Sequence, residues 1–337
     1  MSDLVILLGA GFSHAAGLPL AANLFSAGAL PRAQTPLTER RHREVMSAYV
    51  AWAGGQKNPR AEEWLKELYT ERRNPNQRAI QGATWGDALR FLLSRLTPLP
   101  AGTNQHYYYG ICSETLGGIH PDHSSFWNRM RSDYGTPHVV TLNYDLLVEQ
   151  ACRAPCNTHR RSVPMCYYGG FQRVQAVRKM TDVTTRAYEL VELGTEFALY
   201  KLHGSVNWAC EPHSPSIKIH QDVRAVFRQS DRFGVPAIIP PIPEKKMPTE
   251  FAQIWEEAGR VLAASPRWLV CGCSLPPYDF ALKVLIRRAL HNGCRKSVVL
   301  LAPDSDSLIP RWTALSPRGT KITALPGLPD ALSCQWF

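Results

Sequence analysis

Apolar residues in this chain gather into short continuous runs bounded by turn-forming residues: Leu4–Leu8, Val139–Leu142, Ala198–Leu202, Ala237–Ile239, Trp268–Cys271, Val298–Leu301 and Ile322–Leu325. Runs that are continuous instead of alternating predict strands covered on both faces, as in a parallel sheet between helical layers. Helical spacing follows several of them. Asp145–Cys152 follows the second run, and Phe280–Leu290 follows the fifth, with Leu282, Leu285, Ile286 and Leu290 on one face. This alternation of strand and helix predicts an open α/β sheet.

Between about residue 23 and residue 133 the strand signal disappears. Apolar stripes at helical spacing replace it: Val45, Tyr49 and Trp52; Leu65, Leu68 and Tyr69; Leu89, Leu92, Leu93 and Leu96. Gly54-Gly55, Asn74-Pro75-Asn76 and the Pro98–Gly102 segment separate them. The pattern predicts a helical module, 23–133, inserted into a discontinuous sheet domain made of 1–22 and 134–337. Segment 154–196 has mixed periodicity and yields no element.

Composition narrows the class. The chain has 337 residues, 45% hydrophobic and 20% charged, which excludes a disordered protein. Its nine Cys are too sparse for a disulfide scaffold, and their odd number favours reduced thiols in the cytoplasm. No C-x-x-C occurs, so the commonest zinc-ribbon spacing is absent. The apolar N-terminus lacks a basic region and is broken by Gly9, Gly11 and Gly17, which argues against a signal peptide. No run reaches the ~18 apolar residues of a membrane span. A formal charge of +10 suits an anionic ligand or an acidic partner surface. The densest basic run, Arg40–Arg43, is bracketed by Glu39 and Glu44 and reads as a solvated helix face, so direct nucleic-acid binding is not expected.

Five expected strand ends carry small or polar residues. Leu4–Leu8 runs into Gly9-Ala10-Gly11-Phe12-Ser13, a turn that either lets a backbone approach a pyrophosphate or needs glycine only for its angles. Thr141-Leu142 runs into Asn143-Tyr144-Asp145, which are either ligand-facing or helix-capping. Leu202 precedes His203-Gly204, a histidine that is either structural or a general base. Cys271 precedes Gly272-Cys273-Ser274 and a Pro276-Pro277 entry to a helix with Asp279 as its N-cap; Leu301 precedes Asp304. One sheet would gather all five along one rim, and the first suggests a nucleotide there.

In this order the motifs resemble the sirtuin superfamily. Gly9–Ser13 with Gly17-Leu18-Pro19 is similar to its first NAD-binding segment, Thr141–Asp145 to its Asn/Asp segment, Leu202-His203-Gly204 to its catalytic histidine segment, and Gly272-Cys273-Ser274 to its ribose-contacting turn. The resemblance spans residues 9 to 304. Deacylase members follow the first motif with Phe-Arg, where this chain has Leu20-Ala21-Ala22, and they carry Gln before the Asn, where this chain has Leu142. They also carry the paired C-x-x-C ribbon that is absent here. Asn143-Tyr144-Asp145, Ile238-Ile239-Pro240-Pro241 with a later Lys and Trp255, and Gly272-x-Ser274-Leu275-Pro276-Pro277-x-Asp279 look instead like the bacterial sirtuin-like proteins of antiviral defence.

The resemblance implies a Rossmann-like, NAD-binding fold of the sirtuin type and an NAD hydrolase. The enzyme would cleave the nicotinamide–ribose bond to nicotinamide and ADP-ribose and deplete NAD in abortive infection. NAD would be the substrate, with no metal. Gly9, Ala10, Gly11, Phe12, Ser13, Gly272, Ser274 and Asp304 would bind the nucleotide. Asp145 would contact the carboxamide, Asn143 would orient the ribose or the attacking water, and His203 would be the base. A silent NAD- or ADP-ribose-binding regulatory subunit and an ADP-ribosyl transferase or deacylase are the alternatives. The dozen residues after Leu325 leave no room for a sensor domain. The expected trigger therefore comes from a homo-oligomer or a defence partner such as an Argonaute-like protein or a DNA-translocating ATPase. Cys152, Cys156, His159 and Cys166 crowd together, but their spacing matches no common zinc pattern, and Cys271 and Cys273 read as buried free thiols.

Overall fold

The structure is a computed structural model that describes residues 3–14, 18, 20, 39–55, 61–71, 84–96, 121–135, 137–148, 166–167, 198–210, 217–219, 226, 235–240, 242, 249–276, 279–327 and 337. In chain order its strands are β1 (Leu4–Leu8), β2 (His138–Thr141), β3 (Cys166–Tyr167), β4 (Ala198–Lys201), β5 (Gly204–Cys210), β6 (Ile217–Ile219), β7 (Val235–Ile238), β8 (Arg267–Cys271), β9 (Ser297–Leu301) and β10 (Lys321–Leu325). Its helices are α1 (Ala10–His14), α2 (Glu39–Gly54), α3 (Ala61–Glu71), α4 (Trp85–Ser94), α5 (Pro121–Tyr134), α6 (Thr249–Ala264), α7 (Phe280–His291) and α8 (Ser305–Leu315).

Seven strands form one parallel sheet in the order β10-β9-β8-β1-β2-β4-β3. All five β1 side chains are buried, as a central strand covered on both faces requires. Each such aliphatic side chain contributes about 1.5–3 kcal/mol of burial. The chain passes from β1 to β2 on one side and later returns to β8 on the other. The strand order therefore reverses between β1 and β8, and this Rossmann-like α/β arrangement opens a crevice at their carboxyl ends.

One expected strand lies elsewhere. The Ala237–Ile239 run falls in β7, which pairs antiparallel with β5 in a separate three-stranded sheet, β6-β5-β7. β5 itself escapes the hydrophobic pattern because Ser205 and Asn207 are buried within it. An irregularity between Gly204 and Ala209 breaks its register with β7.

The apolar residues form two clusters. The larger surrounds the parallel sheet and takes in Phe126, Trp127 and Met130 of α5, along with the inner faces of α6, α7 and α8. The smaller joins the stripes of α2, α3 and α4 to Tyr144, Leu146, Val206, Ile238 and Ile242, which seats those helices on the β5–β7 side of the rim. Helix α4 starts at a capping box in which Thr84 Oγ1 accepts from Asp87 N and the Asp87 carboxylate accepts from Thr84 N. Among the described residues no helix is long and apolar enough to cross a membrane.

Candidate active site

Gly9 follows β1, and the helical turn α1 begins at once at Ala10, so the Gly-rich segment is itself largely helical. It is pressed against the segment that follows β8. Gly9 N donates to Cys271 O at 2.9 Å and Gly11 N donates to Gly272 O at 3.0 Å. Gly272 has φ +61°, and a Cβ there would sit 2.2 Å from Phe12 N. A Cβ on Gly9 would sit 2.5 Å from Gly272 O. Glycine is therefore required on both sides of this contact. Phe12 is buried and packs its ring on Phe126 and Trp127, with centroids 5.6 and 6.1 Å away, which anchors the turn to α5.

Next to this floor, the turns after β2 and β4 run side by side. Thr141 and Lys201 are register partners, and Leu202 N donates to Thr141 O at 2.9 Å, so Asn143 and His203 occupy equivalent places on adjacent strand ends. Asn143 Nδ2 donates to Gly9 O at 2.9 Å and to Ser13 Oγ at 2.8 Å. Ser13 Oγ donates in turn to Asp145 Oδ2 at 2.6 Å, while Asp145 Oδ1 accepts from Leu147 N at 3.0 Å. The buried Lys201 ammonium donates to the backbone carbonyl of Asp145. The Asn-Tyr-Asp segment is thus wired into the glycine turn, with Asp145 bracing Ser13.

His203 is buried in the turn between β4 and β5. Its carbonyl accepts from Ile239 N at 2.9 Å. Its ring neighbours those of Tyr144 and Trp255, with centroids 6.3 and 6.0 Å away, and its Nε2 is 3.1 Å from Asp279 Oδ2. Tyr144 donates its hydroxyl to Ile239 O at 2.7 Å, and Trp255 Nε1 donates to Leu202 O at 2.8 Å, so both flanking rings are tied to the same rim.

The remaining expected residues lie farther along the rim. Ser274 is exposed, and its carbonyl accepts from Arg311 Nη1 at 3.2 Å. Leu275 beside it has φ +53°, a left-handed conformation that is uncommon outside glycine. Asp304 precedes α8 without a side-chain cap bond and accepts from Ser307 Oγ at 3.3 Å. Ala10 is exposed. Cys271 and Cys273 are buried free thiols. Burial pushes both thiols up, that of Cys273 to about 12. Gly17, Pro19, Cys152, Cys156 and His159 lie outside the described residues, as does the side chain of Cys166. No group of metal-ligating side chains occurs among the described residues. Sequence reasoning took Asp279 only as a helix cap and missed its contact with His203. It also missed Lys201, whose strand position gave no hint of a buried ammonium.

Fold and site together define a doubly wound α/β protein whose glycine turns and polar residues gather at its topological switch point. No protein-family model matches the chain, and no curated protein matches it. Solved structures do. A mutant Sir2 homologue in complex with 2′-O-acetyl ADP ribose is similar at 13% identity over 99% of this chain and 94% of that one, with a TM-score of 0.47. A Sir2 homologue–NAD complex is similar at 14% identity over 98% and 86%, with a TM-score of 0.47. A Sir2 homologue mutant in complex with ADP ribose is similar at 13% identity over 98% and 94%, with a TM-score of 0.47. The strand order by itself defines the fold class.

Proposed function

We propose that the protein binds NAD in the crevice at the ends of β1 and β8 and hydrolyses its nicotinamide–ribose bond. The observation that carries this reading is the placement of Asn143 and His203 on adjacent strand ends, with Asn143 hydrogen-bonded to Gly9 O and Ser13 Oγ of the glycine turn. Simple nucleotide binding needs the glycine floor but not a buried histidine–carboxylate pair beside it.

The chemistry is N-glycoside cleavage. The C1′–N bond breaks and nicotinamide departs as a neutral molecule, because the ring is cationic in NAD. The oxocarbenium-like ribose is then attacked by water. The water oxygen bonds to C1′, and its proton passes to His203. Backbone along Gly9–Ser13 and Gly272 lines the pyrophosphate side, with Ser274 and Asp304 farther along the rim. Asn143, held by its Nδ2 bonds, presents its amide oxygen to the ribose or the water. Asp145 acts first by holding Ser13, and its contact with the carboxamide is part of the same reading. NAD depletion in antiviral defence, triggered by self-assembly or by a partner protein, is the biological role this reading gives. Its support is the Asn-Tyr-Asp and Gly-x-Ser-Leu-Pro-Pro-x-Asp forms of the motifs.

The test is nicotinamide release from NAD by the purified protein, alone and with candidate partners, with Asn143→Ala and His203→Ala as controls. Release that falls by about 10²-fold or more in both variants is expected. Saturable NAD binding without release in any condition would replace this reading with a regulatory binding subunit. Release only with an added protein acceptor would replace it with a transferase or deacylase.

A further inference from the structure

We infer that Asp279 is a positioning residue for His203, one that fixes which imidazole nitrogen carries the proton and meets the charge the ring gains in the reaction. The inference deepens the proposed NAD hydrolysis and rests on it for its catalytic consequence. Its structural part stands on geometry alone. Asp279 is 2% exposed and precedes α7, where its Oδ1 accepts from Leu282 N at 3.2 Å. The helix start holds the carboxylate in place, and the positive end of α7 favours its ionised form. The other oxygen, Oδ2, lies 3.1 Å from His203 Nε2.

One carboxylate therefore joins a helix cap to an imidazole far earlier in the chain. An ionised carboxylate only accepts, so Nε2 must donate. In the neutral ring this puts the lone pair on Nδ1. When the base takes a proton from water at Nδ1, the imidazolium is formed against a carboxylate at 3.1 Å in a buried setting, where the attraction is strong. Among the described residues, the rings of Tyr144 and Trp255 neighbour the imidazole, and each has its own polar atom bonded to a backbone carbonyl. They confine the plane of the ring, while Asp279 sets its rotation and tautomer.

Asp279→Asn separates this role from capping. The amide oxygen still accepts from Leu282 N, but the group facing Nε2 becomes an N–H donor. The proton is then driven to Nδ1 and the imidazolium loses its counter-charge. The experiment records ¹⁵N-histidine spectra of the full chain across pH, with the His203 signal assigned by its absence in His203→Asn. In parallel it follows NAD cleavage. The wild type is expected to show the Nε2–H tautomer. Asp279→Asn is expected to show Nδ1–H, with a midpoint lower by about one pH unit or more. Its kcat for NAD cleavage should fall by about 10²-fold with little change in KM, and the acid limb of its rate profile should move with the spectroscopic midpoint. Asp279→Glu should restore part of the rate. If Asp279→Asn does not fold, Asp279→Ser, which keeps an N-cap, is expected to lose the fixed tautomer. Unchanged tautomer and midpoint, or unchanged kcat in a folded Asp279→Asn protein, would overturn the inference. A tautomer switch on Asp279→Asn, combined with a wild type that cleaves no NAD under any condition, would sink the hydrolase reading and leave the pair standing.

Discussion

Gly11 and Gly272 meet backbone to backbone: the amide of one donates to the carbonyl of the other at 3.0 Å, and nothing larger than hydrogen fits between them. This contact locks the turn after β1 to the turn after β8, across the point where the strand order reverses. Gly272→Ala would add a Cβ 2.2 Å from Phe12 N at a residue with φ +61°. Strain and displacement together should cost at least about 2 kcal/mol. Chemical denaturation should show that loss, and calorimetric titration should show NAD affinity falling as the crevice floor separates. A variant as stable and as tight-binding as the wild type would refute the locking role.

Ser13 is the middle of the chain from Asn143 to Asp145, receiving from one at 2.8 Å and donating to the other at 2.6 Å. Ser13→Ala leaves a buried carboxylate oxygen without that donor, at a cost of about 1.5–3 kcal/mol. It also removes one of the two bonds that hold the Asn143 amide, leaving the one to Gly9 O. Stability should fall by that amount, and Ser13→Cys should recover little of it, because a thiol is a weak donor. Equal stability of Ser13→Ala and wild type would show that the network carries no load.

Sequence alone revealed the parallel strands because a strand covered on both faces must be apolar throughout, and Leu4–Leu8 and Val298–Leu301 are. It also revealed the rim, since small residues after such strands stand out. β5 was illegible because its buried Ser205 and Asn207 mimic an exposed segment. The Asp279 contact was illegible for a different reason. The residue already had a sufficient local explanation as the cap of α7, and a second, long-range partner leaves no trace in spacing. The buried Lys201 likewise looks like any strand-end lysine until its ammonium is seen on the Asp145 carbonyl.

Cys294 is the exposed thiol among the four cysteines whose side chains are described, with Lys296 Nζ 3.5 Å from its Sγ. Cys271 and Cys273 are buried, and their thiols are pushed up by desolvation. Limited alkylation of the native protein, mapped by mass spectrometry, should therefore label Cys294 well before Cys271 or Cys273. Labelling of Cys273 at a comparable rate would contradict its burial beneath the rim.

His42 and His138 are partly or fully buried, and burial lowers both from the ordinary value of 6.5, with Arg95 adding to the effect at His42. The unfolded chain then takes up these protons at higher pH than the native one. Their stabilisation is complete above about pH 6.5 and is lost as pH falls toward the lowered native values. Urea denaturation between pH 8 and pH 5 should show this decline. His42→Phe, which keeps a ring against Phe91, should flatten it by up to about 1.4 kcal/mol per pH unit. An unchanged slope would mean that His42 does not contribute.

Arg95 is the cation behind part of that effect, and it is itself 3% exposed, with Nε, Nη1 and Nη2 all buried and making no hydrogen bond among the described residues. It follows the end of α4, where the helix dipole favours a cation by about 0.3–1 kcal/mol. That gain is small beside the several kcal/mol needed to remove an ion from water. Burial accordingly pushes the guanidinium down from its ordinary value. Arg95→Met keeps the length of the side chain and removes the charge, so it should raise stability by about 1–4 kcal/mol. It should also relieve the depression at His42 and shrink the acid-side slope. The two readouts belong together. A stabilised protein with an unchanged slope would separate Arg95 from His42, and a destabilised one would show that the buried charge contributes to the fold.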